Sequence, residues 1–200
     1  MAKKKDTKAT GKDDYPVVTC KTQKEWHKWL DKNHSKLNGA WLRFFKKASD
    51  TRSVNYKEAV DEALCYGWID GQAKSYDEHS WIQRFTPRRA KSIWSKRNIE
   101  NISRLEKEGR MQPAGFKAVE DAKEDGRWEQ AYDSPVNMKA PEDFLKALSK
   151  NKKAMAFFNT LNKANLYAIG WRLQTAKKPE TRERRMKLII EMLKKGERFH

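Results

Sequence analysis

Leu64–Asn98 reads LCYGWIDGQAKSYDEHSWIQRFTPRRAKSIWSKRN, and this stretch decides the fold. It contains two extended runs, 68–76 and 79–86. In the second, Trp81, Gln83 and Phe85 alternate with Ile82 and Arg84, the period of two that marks a half-buried strand. Asp77-Glu78 between the runs predicts the turn of an antiparallel hairpin. Gly67, just ahead of the first run, predicts a left-handed cap closing a helix.

That helix starts at Asn55, with Glu58 three residues on, and Ala59, Val60, Ala63 and Leu64 form its apolar stripe. Upstream, Gly39–Lys47 is short and aromatic and predicts another strand. Before it, Thr22 and Glu25 have capping-box spacing ahead of Trp26, Trp29 and Leu30, a helix to about His34. Downstream of Pro87 the chain reads as helix. Ser92 or Ser95 caps a segment carrying Ile99, Ile102 and Leu105, closed by Gly109. Pro113 opens a helix with Phe116, Val119 and Ala122 that Asp125-Gly126 stops. Helices opened by Pro141, Asn151 and Pro179, and one through Tyr167 and Trp171, complete the chain. The expected class is α+β: a small antiparallel sheet of about three strands packed by helices, then a mainly helical C-terminal subdomain. Residues 1–14 predict a disordered basic tail, 15–135 the α+β core and 136–200 the helical subdomain, with Asp133-Ser134-Pro135 as the turn between the last two.

The 200 residues carry a formal net charge of +17 and 36% charged residues. Such a field favours nucleic acid, anionic headgroups or acidic ligands. No run approaches the roughly 18 apolar residues of a membrane span. The basic start, MAKKKDTKATGKDD, lacks the apolar run of a signal peptide. The two cysteines, Cys20 and Cys65, show neither metal spacing nor a disulfide framework, and Cys65 reads as a buried thiol. These features predict a cytoplasmic protein with no integral membrane segment.

Candidate chemistry is concentrated in the same stretch. From Arg84 to Arg97 there are six cations (Arg84, Arg88, Arg89, Lys91, Lys96 and Arg97) and no acid. Arginines beside a helix N-terminus suit a phosphate or carboxylate. The candidate anion-binding face is therefore Arg84, Arg88, Arg89, Lys91, Trp94, Ser95 and Lys96. Trp94 is either a stacking platform for a base or sugar or part of the core. Trp68 and Asp70 mark a candidate pocket. Asp70 is either a partly desolvated general base or a turn aspartate bonded to its own backbone. His27 and His34, two helical turns and ~10.5 Å apart, are too distant to share an ion and read as surface histidines. The chain has no phosphate-binding glycine loop and no nucleophile elbow, and neither a metal site nor a cofactor is expected.

Several motifs carry a resemblance: GWIDG at 67–71, RFTPRR at 84–89, SIWSKRN at 92–98, GRMQPAG at 109–115, DGRWEQAYDSP at 125–135 and QTAKKPETRERR at 174–185. From about Trp26 onward the sequence resembles the YdeI/OmpD-associated, or bacteriocin-protection, proteins, and residues 141–196 resemble their OmdA domain. The resemblance implies a link to resistance against cationic antimicrobial peptides and to an outer-membrane porin, with some members periplasmic. It brings no catalytic residues. This chain departs from the description in lacking an export signal and in being strongly basic, so it repels cationic peptides. The readings that follow are a non-enzymatic stress-associated protein with an anion-binding face, a nucleic-acid-binding module using that face, and a small-molecule enzyme centred on Asp70.

Overall fold

The computed structural model describes residues 15–200, and the tail expected at 1–14 lies outside them. The chain divides into two compact units. One comprises residues 15–92 and 101–126, the other 93–100 and 127–200.

The first unit is built on a four-stranded sheet of β1 (Val17–Thr19), β2 (Ala40–Phe45), β3 (Trp68–Asp77) and β4 (Ser80–Pro87), in the order β1-β2-β4-β3. The β3–β4 hairpin and the antiparallel β2–β4 pairing agree with the alternating pattern. The expectation of a three-stranded antiparallel sheet is corrected by β1, which pairs parallel with β2 and makes the sheet mixed. Three residues are too few to show a period, and a parallel neighbour needs a crossover. Helix α1 (Gln23–Asn33) supplies it.

The hairpin turn falls one residue later than expected, at Glu78-His79, because Asp77 pairs with Ser80. No non-glycine residue among those described has positive φ, so the turn is not the type I′ of tight hairpins. Asp77 shapes it instead, accepting from the His79 backbone N–H at 2.9 Å and the Ser80 hydroxyl at 2.6 Å. A bulge interrupts β3 between Asp70 and Ala73, and the buried Gln83 amide donates to the Gly71 carbonyl there at 2.7 Å.

Helix α2 (Tyr56–Cys65) starts with a complete capping box from Asn55 and Glu58 and ends before Gly67, whose φ is 70°. Thr22 caps α1 through the Glu25 N–H, but Glu25 reaches back to the Lys21 N–H rather than to Thr22, completing only half a box. The Trp26 indole is fully buried between α2 and the sheet, donating to the Ala59 carbonyl at 3.1 Å and packing on Phe85 at 5.5 Å. Leu30, Leu42, Leu64 and Trp68 extend this core. Helix α4 (Pro113–Glu124) begins at its proline and stops at Gly126, with Val119 and Ala122 buried and Phe116 exposed. Helix α3 (Lys96–Lys107) contributes its residues from Asn101 on to this unit.

The second unit is helical: α5 (Glu142–Ser149), α6 (Lys152–Phe158), α7 (Lys163–Gln174) and α8 (Pro179–Lys194). Phe144, Leu148, Ala154, Leu161, Ile169, Leu173, Ile189 and Leu193 form its core. Asn151 and Asn162 cap α6 and α7 through the N–H groups of Ala154 and Asn165. No helix among the described residues is long and apolar enough to cross a membrane.

Candidate anion-binding site

The acid-free run breaks into residues with different duties. Arg84 leaves β4 opposite Trp41, and its guanidinium lies over Gly71, where a Cβ would come within 3.2 Å of Nε. Arg88 is half-buried, and its backbone N–H donates to the Gly67 carbonyl at 2.9 Å. Arg89 and Lys91 are exposed, with no carboxylate partner among the described residues. These four belong to the first unit, whereas Trp94, Ser95 and Lys96 belong to the second. Trp94 is 1% exposed and packs edge-on against Trp128 at 4.9 Å, so its ring is core and offers no face to a base. The Ser95 hydroxyl accepts from the Asn98 N–H at 3.2 Å, capping α3. The Lys96 ammonium is 2.7 Å from Asp133 and does not stand as an open charge.

The pocket pair also separates. Trp68 is buried and donates to the His34 carbonyl at 3.3 Å. Asp70 lies on β3 rather than in a turn, and its carboxylate accepts from the Tyr56 hydroxyl at 2.6 Å. His27 and His34 are half-buried rather than superficial. His27 Nδ1 lies 2.8 Å from Glu62, and the His34 ring rests on Tyr66 at 4.9 Å.

Residues with no binding role expected from the sequence make a dense polar network. Helix α2 is buried on every side from Ala59 to Cys65, and this stretch includes Asp61 and Glu62. Buried charges demand partners. Arg104 pairs with Asp61 at 2.7 Å, while Glu62 holds Arg110, His27 and the Gln23 amide. Glu108 links Arg104 and Arg110, and these guanidiniums, Arg110 first, hold its carboxyl below the usual range. Burial, reinforced by Glu62, pushes the Cys65 thiol up to about 12, and burial also raises the Tyr66 phenol above its ordinary value. The signal was present in the sequence: two adjacent acids in an apolar helical stripe require cations from elsewhere, and GRMQPAG carries Arg110.

Elsewhere in the unit, Asp77 binds Arg43, Asp70 binds Tyr56, and Glu58 and Glu25 bind backbone N–H groups. Asp50, Glu78, Glu106, Glu120 and Glu124 are exposed and have no ion-pair partner among the described residues. Lys21, Lys24, Arg52, Arg89 and Lys91 are exposed and lack carboxylate partners among the described residues. Three of them, Lys21, Lys24 and Arg52, rim a cleft of about 580 Å³ where α1 and α2 begin. In the second unit, a cavity of about 400 Å³ is lined by Lys96, Arg127, Tyr132, Asp133, Gln174 and Lys177 among others. Lys96 and Gln174 both bond Asp133 there, Gln174 donating to it at 2.8 Å.

Fold and charge together define a basic α+β protein with a helical C-terminal unit, whose first unit pairs its buried acids internally. The chain belongs to the family of a domain of unknown function, DUF8412, whose model matches residues 18–118, and its residues 137–196 match the OmdA domain, described as "Bacteriocin-protection, YdeI or OmpD-Associated". No curated protein and no solved structure matches it.

Proposed function

We propose that this protein is a non-enzymatic, stress-associated binder of anionic, phosphate-bearing ligands that acts through basic surfaces of its first unit. One observation carries the reading: Lys21, Lys24, Arg52, Arg89 and Lys91 of that unit are exposed and lack carboxylate partners among the described residues, while its buried acids, Asp61 and Glu62, are paired inside it. Arg89 and Lys91 form one such surface, next in sequence to Arg88. The strong positive charge opposes sequestration of a cationic peptide. Protection against antimicrobial peptides then arises indirectly, by covering an anionic target. Two free, buried cysteines fit a reducing, cytoplasmic setting.

Nucleic acid is the alternative ligand of the same surface. With Trp94 in the core, such binding rests on phosphate contacts rather than stacking. Fluorescence anisotropy of labelled oligonucleotides from about 50 to about 300 mM salt tests both readings. Nucleic-acid binding weakens with a log–log slope near −0.9 per phosphate contacted on duplex, and Arg88→Ala/Arg89→Ala lowers that slope. No binding at low salt removes nucleic acid, and a screen of small anions by thermal shift then decides the wider reading. Tight binding of a polymyxin-like peptide at physiological salt sinks the indirect route.

A further inference from the structure

We propose that the cleft where α1 and α2 begin binds a phosphomonoester group carried by a small molecule, a proposal that rests on the anion-binding reading and names a site for it. Its volume of about 580 Å³ lies within the usual range for small-ligand sites. Lys21, Lys24 and Arg52 stand on its rim without carboxylate partners among the described residues. The acids in its walls are already held. Glu58 accepts from the Asn55 N–H at 3.1 Å, and Glu62 is engaged by Gln23, His27 and Arg110.

Both helices open into the cleft. Thr22 satisfies only the Glu25 N–H of α1, and Asn55 only the Glu58 N–H of α2. The earlier N–H groups of each first turn have no intrahelical acceptor, and both helix dipoles are positive here. The field therefore comes from three cations on different segments and two helix ends, each end partly offset by its own first-turn acid, Glu25 or Glu58, with Glu62 paired by Arg110. A terminal phosphate carries close to two negative charges at neutral pH and three acceptor oxygens. A diester in a nucleic-acid backbone carries one charge and continues in both directions. The arginine fork and two lysine point charges suit the terminal group.

Calorimetric titration of the full chain with inorganic phosphate and with ribose 5-phosphate, at constant ionic strength, tests the site. Lys24→Ala/Arg52→Ala is expected to weaken binding by about tenfold or more, whereas Lys146→Ala/Lys150→Ala, on the second unit, leaves it within about twofold. All four side chains are exposed, so thermal unfolding should confirm that both variants fold. In NMR spectra the amide signals of Gln23, Lys24 and Ser53, which line the cleft, should move most on adding phosphate. Equal weakening by the two variants, or none by the cleft variant, overturns the site. Absence of phosphate binding also overturns it, while the oligonucleotide titration still decides the wider reading on its own. Binding to phosphatidic acid vesicles without binding to ribose 5-phosphate overturns the soluble carrier and assigns the cleft to a lipid headgroup.

Discussion

At the scale of single residues, the buried acids of α2 govern stability. Glu62→Gln keeps the shape but removes the charge facing Arg110 and His27. Losing one partner of a buried pair costs about 3–5 kcal/mol, and partial exposure of Arg110 lowers the expectation to about 2–3 kcal/mol, readable from urea unfolding. A pH effect follows from Asp133. Its pKa is lowered first by the Lys96 ammonium and then by the Gln174 amide. A depressed carboxylate contributes stability in full above its unfolded value, near 4, and loses it as pH falls through the lower native value. Lys96→Gln should therefore flatten the acid limb of the stability profile below about pH 4. The two thiols, raised to about 11 at Cys20 and about 12 at Cys65 mainly by burial, should resist labelling by a disulfide reagent at pH 8 until the chain unfolds. Charge type was legible in the sequence at this scale, and pairing was not. The run Arg84–Arg97 contains no acid, yet Lys96 finds Asp133, a partner 37 positions away, and only the fold brings them together.

At the scale of elements, signals that act over three or four residues were readable. The Asn55–Glu58 box, the caps at Gly67, Gly109 and Gly126, and the prolines opening α4 and α8 all stand where spacing places them. What escaped depends on distant neighbours. Strand β1 exists because β2 offers an edge, and Phe116 stays exposed although its helix is amphipathic. Gly115 is a further case: nothing local requires glycine in the first turn of α4. A Cβ there would sit 2.2 Å from the Cys65 carbonyl oxygen at the end of α2. Backbone cannot yield as a flexible side chain can, so Gly115→Ala must push α4 away from α2. The expected cost is about 1–3 kcal/mol, seen as a lower thermal midpoint, and larger than the gain in helix propensity of up to about 1 kcal/mol.

At the scale of the whole molecule, the two units are interleaved in sequence, because the second includes Ile93–Glu100 as well as everything from Arg127 on. The upstream piece is not decoration. Trp94 is among the largest fully buried side chains, its partner Trp128 lies in the downstream piece, and Ser95 bridges to Tyr132. The OmdA match, 137–196, covers the helices but neither tryptophan. A fragment spanning 127–200 keeps all eight core side chains of the helical cluster yet lacks the indole that packs on Trp128. Removing a buried tryptophan costs about 3–5 kcal/mol, a large share of the 5–15 kcal/mol that holds a domain folded. The fragment should therefore show helical far-ultraviolet dichroism with weak near-ultraviolet signal and a broad melt, the signature of lost side-chain packing. In the full chain, Trp94→Ala should destabilise by about the same 3–5 kcal/mol. A sharp, cooperative melt of the fragment at the temperature of the full chain would mean that the helical cluster alone suffices and that the Trp94–Trp128 contact is not needed for its folding.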